Sequence, residues 1–288
     1  LRSVRAQRTT ARVELIVVHD GSPGTELPSE VAGLADHVLR TPGRVGPARA
    51  RNLGIAEATG DLVALLDDDD EWLPGKLEAQ FAVLRGVADP ARTVVGSRQF
   101  YVNSRTGAVS RPGPNRLIVE GESPEHYLFR RRPPSGGRPQ MWTSTLLCPR
   151  ELAAATPWDD SLALHEDWDW LVRLGREPGT RFVQAPEPMV RIQRGSEQSL
   201  SATTDWRSSL DWANRALRSD PAVYADFVAG QPLRYALGTH SWTAVRTVLT
   251  ALRSANRIPS FGPLIIGGAG LLPRRAIEWA TIAVGGVR

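Results

Sequence analysis

Short apolar runs separated by turn formers set the outline of this chain. Val13–Val18 reads as a buried strand that ends at the turn signal His19-Asp20-Gly21-Ser22. His37–Arg40 is a second short strand, and Pro47–Thr59 has helical character with Gly60 as its stop. Asp61–Leu66 is a third strand. Pro74 then opens a helix to about Arg85 that sets Leu77, Phe81 and Leu84 on one face. Thr93–Val102 and Met141–Leu147 are strand patterns, and Glu166–Arg176 is a helix. Arg181–Gln184 and Pro188–Gln193 are shorter strand candidates. From Asp205 onward the periodicity is helical: Asp205–Arg218, Ala222–Ala229 and Leu233–Leu252. Strands alternating with helices predict an α/β fold with a mostly parallel, doubly wound (Rossmann-like) sheet flanked by helices. The expected division is a domain over 1–204 and a helical C-terminal region over 205–288. Gly107–Gly137, rich in Arg, Pro and Gly, is expected to be a long loop with a short helix at Glu125–Phe129.

One interruption changes the picture. The strand Leu62–Leu66 runs straight into Asp67-Asp68-Asp69-Asp70. In a doubly wound sheet, strand C-termini share the edge at which ligands bind. Four adjacent carboxylates repel one another, and hard oxygen donors suit Mg²⁺ or Mn²⁺. A solvated acidic turn is the simpler alternative. Two further acidic sites stand at element ends: Asp20, after the first strand, and Glu166-Asp167, at the head of the helix containing Trp168 and Trp170. The first is also compatible with a tight turn, and the second with helix capping.

Composition narrows the class. At 288 residues and 41% hydrophobic, the chain is long enough for a substantial core. Cys148 is the single cysteine, so no internal disulfide forms and a reducing, cytoplasmic location is acceptable. Net charge is +4, and Lys76 is the single lysine; the other basic residues are Arg, which suits anionic ligands. The basic residues are not interleaved with an aromatic platform, which argues against nucleic acid. The histidines lack zinc-site spacing. Gly262–Leu272 and Ala276–Val287 are apolar but are split by Pro273-Arg274-Arg275, so neither is expected to span a bilayer. The C-terminal helices are expected to pack on the catalytic domain, with contact to the inner face of an anionic membrane as the other option.

The run Val45–Asp61, continuing through Leu66 into the four aspartates, resembles family 2 glycosyltransferases of the GT-A fold. So do Glu14–Ser22 and His165–Asp169, and the resemblance covers roughly residues 1–201. It implies a metal-dependent, inverting transfer of sugar from a nucleotide-diphosphate donor, UDP- or dTDP-linked, to an acceptor hydroxyl of a sugar or lipid-linked acceptor. Cell-surface polysaccharide or glycoconjugate synthesis is the implied setting. By that resemblance Asp20, Arg51, Asn52, Asp67 and Asp68 contact the donor nucleotide, Asp69 with Asp67 holds Mn²⁺ or Mg²⁺, and Asp70 orients its neighbours. Asp167 is the general base, expected to be held ionised by its helix dipole. Glu166, Trp142 and Ser144 are expected on the acceptor side, and Arg130–Arg138 could close over the donor diphosphate.

Two departures from the family pattern stand out. The apolar strand and turn that normally precede the Leu1–Gln7 segment are not in this sequence, which would fit a fragment or a misassigned start. Gln193 stands where some members carry a metal-assisting His. A sugar nucleotidyltransferase, or a truncated and inactive GT-A-like binding domain, are the competing readings.

Overall fold

In a computed structural model, residues 1–22, 24–130, 139–194 and 205–272 are described. The chain forms two compact units. The first comprises residues 1–99, 119–121 and 141–192; the second comprises 100–118, 122–140 and 193–288. The boundary expected at 204 and residues 131–138 of the expected Arg130–Arg138 loop lie outside the described residues.

The strands are β1 (Ile16–His19), β2 (His37–Arg40), β3 (Leu62–Ala64), β4 (Glu71–Trp72), β5 (Thr93–Asn103), β6 (Leu147–Pro149) and β7 (Arg181–Arg194). The α/β class expected from the pattern holds. β1 and β2 pair in parallel, with Val17 opposite Val38. The second sheet has the order β3-β6-β5-β7-β4. Its β3–β6, β5–β6 and β4–β7 ladders are antiparallel. The parallel arrangement expected thus holds for the β1–β2 pair, while these ladders of the second sheet run antiparallel. The reason lies in β4 and β6, two- and three-residue strands too short to give a periodic signal.

In the first unit the helices are α1 (Arg2–Arg5), α2 (Ser29–Leu34), α3 (Pro47–Glu57) and α4 (Lys76–Arg85), followed beyond the inserted α5 (Pro124–Phe129, second unit) by α6 (Arg150–Ala155) and α7 (Glu166–Arg176). α3 begins where expected: Pro47 fills its first position and Gly46, at φ 90°, turns the chain into it. The 141–147 strand is replaced by a 3-10 turn at Thr143–Thr145, leaving only Leu147–Pro149 extended. The core beneath includes Leu84, Val95 and Leu147.

The second unit continues with α8 (Trp206–Ala216), α9 (Pro221–Gly230), α10 (Pro232–Gly238), α11 (Trp242–Ser254) and α12 (Phe261–Gly268). α9 is buried on all sides, with every residue from Val223 to Gly230 buried, Asp226 included, and α5, α8, α10, α11 and α12 pack around it. Phe129, Trp212 and Phe227 meet edge to face, with ring centroids 4.9 to 6.0 Å apart. The single helix expected over Leu233–Leu252 is two helices. His240 takes a left-handed backbone (φ 53°) and Ser241 caps α11 through the Ala244 N–H. Among the described residues no helix is long and apolar enough to cross a membrane.

Candidate active site

Every element of the site lies in the first unit. β3 leads to the acidic turn, where Asp67 and Asp70 are half-buried and Asp68 and Asp69 are exposed. The turn is closed by the Asp70 N–H on the Asp67 carbonyl (3.2 Å). Although Asp69 is exposed at the surface, partial desolvation by the surrounding turn, followed by the charges of Asp68 and Asp67, raises its proton affinity. A divalent cation would relieve that repulsion. Among the described residues no three ligating side chains converge on one point. A Mg²⁺ or Mn²⁺ ion fits such a set by drawing on one or two carboxylates and completing its shell with phosphate and water.

Arg51, on the second turn of α3, donates to Asp67 Oδ1 at 2.7 Å. Its guanidinium lies over the Trp158 ring, 4.5 Å from the centroid, and its buried Nη1 has no hydrogen-bond partner among the described residues. Asn52 is committed to the same place. Its Nδ2 donates to the Trp158 carbonyl (2.9 Å), and its Oδ1 accepts from the Trp158 N–H (2.8 Å). Trp158 in turn stacks on Trp170 at 4.5 Å and 15°. Asn52 is thus brought to the site as the support beneath Arg51, with its amide engaged by backbone.

Asp167 occupies the second position of α7. His165, just before the helix, is buried with a left-handed backbone (φ 67°) and stacks on Trp168. A non-glycine residue there carries strain of the kind found at functional sites. Asp167 accepts from the Trp168 N–H at 2.8 Å. Burial and then the Glu166 charge push its carboxyl up to about 7, against the lowering effect of the Trp168 N–H and Arg51. Asp67 also raises it, so the charges of Arg51 and Asp67 both act on Asp167. Burial and the Glu166 charge thus act against the ionisation that the helix dipole was expected to favour.

Ser144 requires a second correction. It was expected to line an acceptor wall, but its side chain is fully buried. Its hydroxyl donates to Asp70 Oδ2 at 2.6 Å and accepts from the Asp67 N–H at 3.0 Å. Its carbonyl accepts from Trp72 Nε1 at 3.1 Å. Ser144 therefore clamps both ends of the acidic turn. Lys76, fully buried, lies over the Trp72 ring at 4.0 Å and donates to Gln80 Oε1 at 2.8 Å. Gln80 Nε2 in turn holds the Thr145 carbonyl at 2.8 Å. Burial lowers the Lys76 ammonium to about 7. The sole lysine of a chain otherwise rich in Arg was the available signal for this support.

Asp20 follows β1 and sits in a cup of donors. Oδ1 lies 2.7 Å from the Thr41 hydroxyl and accepts from the Val45 N–H (2.8 Å); Oδ2 accepts from the Gly46 N–H (2.8 Å). Burial opposes ionisation, but these three donors together hold its carboxyl below the usual range. Trp142 and Glu166 are partly exposed. Gln193 has its side-chain oxygen 3.4 Å from the Ser104 hydroxyl.

Residues 1–138 match the pattern of glycosyl transferase family 2. That match spans just under half of the chain and supports a family 2 glycosyltransferase. Among relatives, it is 28% identical over 249 residues to the amylovoran biosynthesis glycosyltransferase AmsB of Erwinia amylovora, covering 80% of this chain and 77% of that one. It is 24% identical to an uncharacterized glycosyltransferase of Haemophilus influenzae, over 72% of this chain and 67% of the relative. Among solved structures, S. aureus TarS 1-349 in complex with UDP-GlcNAc superimposes with a TM-score of 0.63 at 15% identity, covering 88% of this chain and 76% of that chain. By these relatives the chain is a glycosyltransferase, with the mixed α/β fold of that neighbour and a helical C-terminal region.

Proposed function

We propose that this glycosyltransferase moves a sugar, with inversion, from a UDP-type nucleotide-diphosphate donor to an acceptor hydroxyl. The observation that carries the reading is the convergence of the acidic turn, Arg51 and Asp167 in one unit, with Asp167 feeling the charges of both Arg51 and Asp67. The TarS neighbours solved with UDP-GlcNAc and with UDP support the choice of donor.

Asp69, with Asp67, would hold Mn²⁺ or Mg²⁺, which neutralises the charge gathering on the departing diphosphate. Arg51 holds Asp67 in register and keeps one unpartnered Nη1 for an anionic oxygen. Ser144 fixes the turn on which Asp67–Asp70 sit. Asp20 orders the Thr41–Gly46 loop beside the nucleotide. Asp167 takes the proton of the acceptor hydroxyl as it attacks the anomeric carbon, and a carboxyl titrating near neutrality is matched to that task. Trp142 and Glu166 are the acceptor-side candidates. Work at the inner face of the cytoplasmic membrane, on a sugar or lipid-linked acceptor, belongs to the same reading.

The test uses purified protein, a panel of UDP- and dTDP-sugars, and Mn²⁺. Asp167→Asn and Asp69→Ala each abolish transfer, and only Asp69→Ala weakens Mn²⁺-dependent UDP binding in calorimetry. Full activity in both variants overturns the assignment. Pyrophosphate release from nucleoside triphosphate plus sugar phosphate would instead identify a nucleotidyltransferase.

A further inference from the structure

The second unit carries a helix whose burial is inverted. α12 packs on α9 and α10 through small residues. A Cβ at Gly267 would meet the Ala229 carbonyl oxygen at 2.1 Å, and one at Gly270, just beyond α12, the Arg234 carbonyl oxygen at 2.2 Å. Its large side chains Phe261, Leu264 and Ile265, spaced i, i+3, i+4, are exposed instead. The helix is anchored in this orientation. Buried Asp226 of α9 accepts from the Ser260 N–H at 2.6 Å and from its hydroxyl at 2.8 Å, at the start of α12. The outward apolar face is thus a fixed feature. Around it, Ile258 is 91% exposed and Trp242 79% exposed, while Leu271 and Leu272 are exposed as well. Large apolar side chains left exposed together on one helix face in this way mark an interaction site.

Charge indicates what covers it. From Phe227 to Ile277 the chain has no Asp or Glu but has Arg234, Arg246, Arg253, Arg257, Arg274 and Arg275. Trp242, Arg246 and Arg253 form one exposed stripe along α11, and Arg257 continues it beyond the helix end. Ala244, Val245 and Val248 occupy the buried side. Arg253 and Arg257, with Arg130 and Ile258, also line a cleft of about 820 Å³. Asp220, in the wall of that cleft, is committed to His126 (2.7 Å) and to the cap of α9.

We propose that the outer face of α11 and α12 is a docking surface for an anionic phospholipid bilayer. Ile258, Phe261, Leu264 and Ile265 enter the headgroup–acyl boundary, and Arg246, Arg253 and Arg257 meet lipid phosphates. An apolar face with a basic rim, on a stretch from Phe227 to Ile277 that holds no Asp or Glu, complements that surface. This deepens the membrane contact in the preceding reading, and its test measures lipid binding rather than sugar transfer, so the two fail separately.

The experiment is sedimentation of the full chain with sucrose-loaded vesicles of phosphatidylcholine alone or with 30% phosphatidylglycerol, a composition chosen to supply negative charge at roughly the level that gives a strong surface potential. Binding is expected to be at least about tenfold tighter to the anionic vesicles and to weaken as salt is raised. Leu264→Asp with Ile265→Asp removes it, and Arg253→Glu with Arg257→Glu reduces it by about tenfold or more. Circular dichroism melting checks that the variants fold. Should the apolar pair fail to fold, the exposed arginine pair decides the question. No binding to anionic vesicles at low salt, equal binding to both vesicle types, or folded variants that bind like the parent would each overturn the proposal. Concentration-dependent self-association lost in the Leu264/Ile265 variant, without vesicle binding, would assign the face to a second copy of the chain.

Discussion

The loop after β2 and the head of α7 treat an aspartate in opposite ways. Asp20 is gripped by two backbone N–H groups and a hydroxyl, and its carboxyl is held below the usual range. Asp167 has one N–H and two acidic neighbours in a desolvated place, and its carboxyl is pushed up to about 7. Both follow the same short pattern in sequence, a carboxylate at the end or start of an element. The donors supplied by the surrounding chain make one a structural tie and the other a group able to exchange a proton at neutral pH.

The strongest way to break this contrast is Asp167→Asn. Transfer should fall by about 10²- to 10⁴-fold, the usual worth of a positioned base, with UDP binding retained. Loss of UDP binding along with activity would place Asp167 in donor binding instead. The pH profile comes next. Below about 7 the parent's rate should fall about tenfold per pH unit as Asp167 takes up its proton. The sign for stability is opposite. The folded state keeps this proton in the window between the unfolded carboxyl, near 4, and about 7, so stability drops as pH rises through it and then levels off. Thermal melts of the parent and Asp167→Asn at pH 5 and 8 should show that slope in the parent alone.

Ser144→Ala should cost about 1–3 kcal/mol, because it strips a buried donor from Asp70 and an acceptor from the Asp67 N–H. It should also raise the Mn²⁺ concentration needed for half-maximal activity, a change that simple loss of stability would not produce. The smallest effect is expected from Asp20→Asn, about 1–2 kcal/mol in chemical denaturation at pH 7. The loss should shrink as pH falls below about 4, since a depressed carboxyl contributes only while it is ionised. An Asp20 variant that loses no stability but cannot bind UDP would move Asp20 from scaffold to ligand.

Much of this protein was legible before any coordinates. α3, α4, β5 and α7 sit where periodicity, Pro47 and the Gly60 stop put them. The acidic turn announced itself because four adjacent carboxylates after an apolar run have few other uses. Less visible was whatever depends on a partner distant in sequence. Ser144 looks like one more residue of a strand, yet its hydroxyl bridges residues more than seventy positions away. Lys76 looks like a solvated helix residue and is fully buried over Trp72. α12, with Gly262, Pro263, Gly267 and Gly268, reads as a broken segment, although two of those positions pack inside.

What the sequence determined by itself was class and chemistry: an α/β fold, a carboxylate cluster at a strand end, and the family pattern over the first half. Those follow from local propensity, hydrophobic period and side-chain type, which travel with the residues. Only the tertiary structure decided which carboxylates stay charged, which polar side chains serve as scaffold, and which apolar faces remain open. The physical reason is that desolvation, hydrogen-bond supply and neighbouring charge are properties of an environment, and residues far apart in the chain assemble that environment.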